Sequence, residues 1–121
     1  MKPLFTLHST VQHGKHRGKR LGFPTINAAV DPQTPEGIYL SLSEVHGKQY
    51  KSLTFIGTAK TYDETDFLAE TYLLDFLDDL YGQTVTIEVL HKLRENQKFA
   101  TEAELIAQME EDKRQAEAFF A

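Results

Sequence analysis

No cysteine occurs among the 121 residues of this chain, which excludes disulfides, thiol catalysis and thiolate metal sites and makes a reducing cytosol its natural compartment. No apolar run is long enough to span a bilayer. Met1-Lys2-Pro3-Leu4-Phe5 lacks the sustained apolar stretch of a signal peptide, so neither export nor membrane insertion is expected. Internal repeats, low-complexity tracts and linker-like stretches are also missing, and the length suits one domain over residues 1–121, with no room for a second substantial unit. Positive charge is scarce, with 13 Lys and Arg against 18 Asp and Glu and a net charge of -5. A chain of that sign is a poor general binder of nucleic acid, because non-specific affinity rests on summed positive charge.

The cations that are present gather in one place. From His13 to Asn27 the chain reads His-Gly-Lys-His-Arg-Gly-Lys-Arg-Leu-Gly-Phe-Pro-Thr-Ile-Asn. Gly14, Gly18 and Gly22 permit close backbone approach, while Lys15, Arg17, Lys19 and Arg20 supply charge for phosphate oxygens. Pro24 fixes φ just before Thr25, whose hydroxyl, with the Asn27 amide oxygen, is the kind of neutral oxygen that ligates a hard cation such as Mg²⁺. These are the parts of a polyphosphate site with its metal. The spacing is neither a Walker A motif, which ends in Gly-Lys-Ser/Thr ahead of a helix, nor a dinucleotide fingerprint. A solvated glycine-rich loop is the plain alternative, and a nucleic-acid patch is a weaker one. Leu21 and Phe23, which interrupt the polar run, count against the solvated loop.

Most of the remaining chain alternates with a period of two. Phe5, Leu7, Ser9 and Val11, then Ile38, Leu40 and Leu42, read as half-buried strands, and Val85, Ile87, Val89 and Leu93 read as one face of a later strand. His46-Gly47-Lys48 suggests a hairpin turn into a strand from about Gln49 to Ile56, and Asp31 to Gly37 is a breaker-rich loop. Several short strands favour a small barrel over a helical bundle. The period then changes. Thr101-Glu102-Ala103-Glu104 is a capping box that should start a helix, with Leu105, Met109, Ala116 and Phe119 on one face.

Two carboxylates stand at apolar positions. Glu70 shares its face of the strand Leu68–Phe76 with Leu68, Tyr72, Leu74 and Phe76, where desolvation disfavours charge and suits a carboxylate to general-base work. Its plain alternative is pairing with a cation at a barrel rim. Asp112 lies on the apolar stripe of the terminal helix, where a carboxylate needs a partner; it is an edge residue or a ligand contact.

The segment His-Gly-x-x-Arg-Gly-x-x-Leu-Gly-Phe-Pro-Thr-x-Asn resembles the opening of the riboflavin kinase (flavokinase) domain. The resemblance continues in order through Pro35-Glu36-Gly37-Ile38-Tyr39, Ile56-Gly57, Glu70-Thr71-Tyr72-Leu73-Leu74-Asp75-Phe76, Leu80-Tyr81-Gly82, Leu93-Arg94-Glu95-Asn96-Gln97-Lys98-Phe99 and the terminal helix with Asp112, roughly from Val11 to Ala116. It implies a mainly β fold, a small closed six-stranded Greek-key-type barrel with a C-terminal helix packed on it. It implies an ATP- and Mg²⁺-dependent kinase that phosphorylates the riboflavin 5′-hydroxyl to give FMN and ADP. Glu70 aligns with the family's catalytic base. Nucleotide contacts carry over to Gly14, Gly18, Lys19, Gly22 and Thr25, with adenine near Leu80, Tyr81 and Gly82. Mg²⁺ would be held by Thr25 and Asn27, and the flavin by Arg94, Phe99 and Asp112. The expected partners are these small molecules, with no nucleic acid and no membrane, and the expected state is a cytoplasmic monomer. The adenylyltransferase domain that usually precedes the bacterial version is not in the sequence, so FAD synthesis is not expected.

This chain departs from the family's pattern at Phe55, where a polar residue commonly precedes Ile-Gly, at Lys60, where a proline is common, and at Ile26, where alanine is usual. Phe55 and Lys60 are expected to reshape the nucleotide-side wall. Two rival functions remain: a catalytically degenerate flavin-binding regulatory protein, and a β-barrel nucleic-acid-binding module. The joint presence of Thr25, Asn27 and Glu70 argues against the former.

Overall fold

Period-two alternation becomes strand wherever one side of the chain meets a core. The computed structural model describes residues 2–10, 25–58, 67–74 and 82–120, Thr25 by its backbone alone. Its strands are β1 (Phe5–Thr10), β2 (Thr25–Ala28), β3 (Gly37–Val45), β4 (Lys48–Gly57), β5 (Leu68–Leu73) and β6 (Thr84–Arg94), followed by the helix α1 (Glu102–Phe119). The six form one antiparallel sheet in the order β1-β6-β3-β4-β5-β2. Its two edge strands meet where Ser9 Oγ donates to the Asn27 carbonyl at 2.5 Å. The result is the expected mainly β architecture, a nearly closed barrel with one C-terminal helix.

The barrel has two cores, one on each side of its wall. Inside lie Ile26, Ile56, Leu73, Val85, Ile87 and Val89, with the Tyr39 ring edge-on to Phe5 at 5.7 Å and its hydroxyl donating to the Pro35 carbonyl at 2.7 Å. Burial pushes the Tyr39 hydroxyl above its ordinary value. Outside, Ile38, Leu40, Leu53 and Leu74 pack under Met109 and Ala116 of α1. β3 is therefore buried on both faces along most of its length, where alternation alone suggests a half-buried strand.

The interior also holds a line of hydroxyls. Ser43 bonds Ser52 at 2.9 Å, Ser52 bonds Ser41 at 2.7 Å, Thr54 donates to Ser41 at 2.9 Å, and Thr54 bonds Thr71 at 2.9 Å; all five are fully buried. Each hydroxyl has one proton. Because Thr54 gives its proton to Ser41, Thr71 must be the donor to Thr54, and this stretch of the line runs from Thr71 to Ser41.

Turns and irregularities set the frame. His46 and Gly47, both at positive φ (53° and 75°), form the two-residue hairpin loop between Val45 and Lys48, the mirror-image turn that matches strand twist. β6 slips twice against β3, at Leu90 and again at Leu93. These bulges reverse the side-chain alternation, so Leu93 leaves the face of Val85, Ile87 and Val89 and joins the helix-side cluster. The expected period of two thus ends at Val89. Gly37, at φ 152°, lies so close to β6 that a Cβ would stand 2.9 Å from the Arg94 carbonyl oxygen.

The helix begins as the capping pattern predicts. The Glu104 N–H donates to Thr101 Oγ1 at 3.1 Å. Its carboxylate reaches one residue further back than a capping box requires, accepting from the Ala100 N–H at 3.3 Å. Met109 and Ala116 are buried and Leu105 is half-buried. Phe119 turns partly outward and stacks on His91 at 6.0 Å, short of the core expected for it.

Candidate active site

Register across the sheet assembles the site. Arg94 lies opposite Ile38, Ile38 opposite Phe55, Phe55 opposite Glu70 and Glu70 opposite Asn27. Opposed residues in antiparallel strands project to the same face. Here it is the outer, helix-facing side, where Ile38 and Phe55 join the cluster beneath α1. At about 4.8 Å per strand spacing, Glu70 is roughly 14 Å from the Arg94 end of the row and one spacing from Asn27.

At one end Glu70 is 3% exposed, and the Tyr72 hydroxyl donates to its Oε1. Asn27 Oδ1 is buried and has no hydrogen-bond partner among the described residues. Buried acceptors are normally satisfied. An orphaned amide oxygen one strand from a buried carboxylate is what a hard cation or a donor on a ligand would complete, so the residues fit a Mg²⁺ site of neutral oxygens. Among the described residues no three His, Cys, Asp or Glu side chains gather to hold a metal. Thr25 opens β2 opposite Tyr72, as Asn27 stands opposite Glu70.

At the other end Asp112, 2% exposed, is fully engaged. Arg94 Nε donates to its Oδ1 at 2.9 Å, Arg94 Nη2 donates to Oδ2 at 2.8 Å, and Gln108 Nε2 donates to Oδ1 at 3.0 Å. The inward carboxylate thus has its partner in Arg94, in the paired two-point geometry that fixes a guanidinium plane. That guanidinium lies 5.9 Å from the centre of the buried Phe99 ring. The segment after β6 is tied back by Asn96, whose Nδ2 donates to the Thr58 carbonyl at 3.2 Å and to Glu36 Oε1 at 3.4 Å.

The structure therefore brings Glu70 together with Asn27, and Arg94 with Phe99 and Asp112. Gly82 is an exposed turn residue at φ 82°. Gly14, Gly18, Lys19, Gly22, Leu80 and Tyr81 lie outside the described residues, as does Lys60. Phe55 falls in the row between Glu70 and Ile38, on the path toward Arg94. Sequence reasoning missed Tyr72, counted only as apolar company for Glu70, and Gln108. Both were findable: Tyr72 is two residues from Glu70 on one strand face, and Gln108 is four from Asp112 on one helix face.

Fold and site together define a β-barrel with a buried carboxylate beside an oxygen-ligand position and a cation–aromatic platform at the other end of one row. The family model described as Flavokinase: Riboflavin kinase matches residues 1–120. The chain belongs to the flavokinase family. It is 36% identical over 121 residues to the bifunctional riboflavin kinase/FMN adenylyltransferase of Listeria monocytogenes, covering 97% of this chain and 38% of that protein. Among solved structures it is similar to riboflavin kinase from Trypanosoma brucei (TM-score 0.62, 25% identity, 98% of this chain and 80% of that one). It is also similar to a chain described as a macrolide-efflux protein from Streptococcus pneumoniae (TM-score 0.75, 30% identity, 93% and 38%). The chain spans two-fifths or less of the length of the curated relatives it matches.

Proposed function

We propose that this chain transfers the γ-phosphoryl group of ATP to the 5′-hydroxyl of riboflavin, giving FMN and ADP. The observation that carries the reading is the single row in which a buried carboxylate, Glu70, stands between Asn27, with its orphaned oxygen, and the Arg94–Asp112 pair. The roughly 14 Å between Glu70 and Arg94 suits an extended flavin with its ribityl chain. The isoalloxazine ring would lie at Arg94 and Phe99, with Asp112 fixing the guanidinium, and the 5′-hydroxyl would reach Glu70.

Glu70 takes the proton of that hydroxyl as the oxygen bonds to the γ-phosphorus, and the bond from that phosphorus to the β–γ bridging oxygen breaks, the electron pair leaving with ADP. Phosphoryl transfer asks a protein mainly for alignment and charge neutralisation. Asn27 and Thr25 are the residues that would hold Mg²⁺, which when bound screens the phosphate charge. Nucleotide contacts by Gly14, Gly18, Lys19, Gly22, Leu80, Tyr81 and Gly82 belong to the same proposal. So do a monomeric state, the cytosol for a chain without cysteine, and the absence of a nucleic-acid role. No described helix is long and apolar enough to cross a membrane.

FMN formation from riboflavin, ATP and Mg²⁺, followed by chromatography, tests the reading. The parent chain should produce FMN, and Glu70→Gln should lower kcat by about 10²- to 10⁴-fold. A folded parent that binds riboflavin without making FMN would refute it in favour of a flavin-binding protein.

A further inference from the structure

One hydrogen bond to the Glu70 carboxylate comes from within its own strand. Tyr72 lies two residues on, on the same face of β5, and its hydroxyl donates to Glu70 Oε1. On β4, the residue opposite Glu70 is Phe55, whose ring offers no hydrogen bond, and on β2 it is Asn27. Tyr72 is half-buried, and its ring is anchored among the helix-facing apolar residues around Leu53 and Leu74. A phenol has two side-chain torsions, and packing of the ring leaves its oxygen little freedom. That ring packs against α1's own cluster, so the position of the donor is set by the barrel and the helix together.

A glutamate's last torsion is broad, so its oxygens do not by themselves settle in one plane. We propose that Tyr72 is a positioning residue for the phosphoryl transfer, fixing the orientation of the Glu70 carboxylate. The inference rests on the kinase reading and deepens it. The ring side of Tyr72 serves packing and the hydroxyl serves orientation, so the two roles separate by substitution. Tyr72→Phe keeps the ring and removes the donor. Tyr72→His keeps a donor on a planar ring.

The test measures kcat, both KM values and thermal midpoint for the parent chain, Tyr72→Phe and Tyr72→His. The expected result is a fall of about 10- to 100-fold in kcat for Tyr72→Phe, the scale of a misplaced reacting group. Its KM values for riboflavin and ATP should stay within about twofold of the parent's, because ground-state binding is untouched. Tyr72→His should recover most of the lost kcat. A Tyr72→Phe variant with parental kcat overturns the proposal. A loss that Tyr72→His does not relieve, or that comes with matching rises in both KM values and a lowered thermal midpoint, assigns Tyr72 to packing and also overturns it. Failure of the parent to make FMN is a separate result that refutes the kinase reading itself.

Discussion

Asp112 illustrates how much one side chain depends on its partners. Its carboxylate is almost fully out of water and accepts from two nitrogens of Arg94 and one of Gln108. Removing one member of a buried ion pair leaves the other uncompensated. Asp112→Ala should therefore destabilise the fold by roughly 3 kcal/mol, near the low end for such pairs because Arg94 keeps part of its surface in water. Urea unfolding measures this. The same variant should raise the riboflavin KM at least severalfold, since Arg94 would lose the two-point contact that holds it near Phe99. The inward position of Asp112 was readable from helical spacing, and so was its need for a partner. The identity of the partner was not, because Arg94 and Asp112 are 18 residues apart and only the fold brings them together.

Strands and helix carry a different kind of information. The hairpin at His46-Gly47, the start of α1 and the alternation of β1 were all legible, because each depends on neighbours in sequence. The two bulges of β6 were not. Straight pairing onward from Ser41 and Val89 would set Lys92 opposite Ile38; the two slips set Arg94 there instead, and so bring it into the row with Glu70. Nothing in the residues of β6 marks a bulge, since the slips are defined only by its pairing with β3. The hydroxyl line across β3, β4 and β5 is another property of packed elements rather than of a motif. Each of its members alternates in sequence like an ordinary polar strand residue, yet all five point inward. Thr54→Val removes the hydroxyl that links Thr71 to Ser41 while keeping the shape. Loss of about 1–3 kcal/mol in chemical denaturation is expected, because Thr71 and Ser41 would each lose a buried partner.

At the scale of the molecule, the six-stranded sheet is closed by unlike means. Among the described residues five neighbouring strand pairs are joined by ladders, whereas β1 and β2 meet through the Ser9 hydroxyl and the Asn27 carbonyl. Period-two patterns indicated a small barrel, and the resemblance supplied its strand number. Which two strands would form the edges was not readable, since strand order is a matter of long-range pairing. Residues 11–24 connect these same two edges, running from Thr10 at the end of β1 to Thr25 at the start of β2. They hold the glycines and cations proposed to meet ATP, and Asn27 lies three residues beyond their end.

A nucleotide that met both that segment and Asn27 would therefore act as a suture across the edge at which no ladder joins the described residues of β1 and β2. By mass action, a ligand that binds only the joined form stabilises it by about 2.7 kcal/mol at 100 times its dissociation constant. Hydrogen exchange should accordingly slow on adding ATP with Mg²⁺, most at the amides of β1 and β2 and least in the β3–β4 hairpin. Uniform slowing across all six strands would mean that the seam is no weaker than the ladders. If the seam responds as expected, occupancy of the nucleotide site and integrity of the cylinder are a single equilibrium, and substrate supply sets how long the protein survives proteolysis.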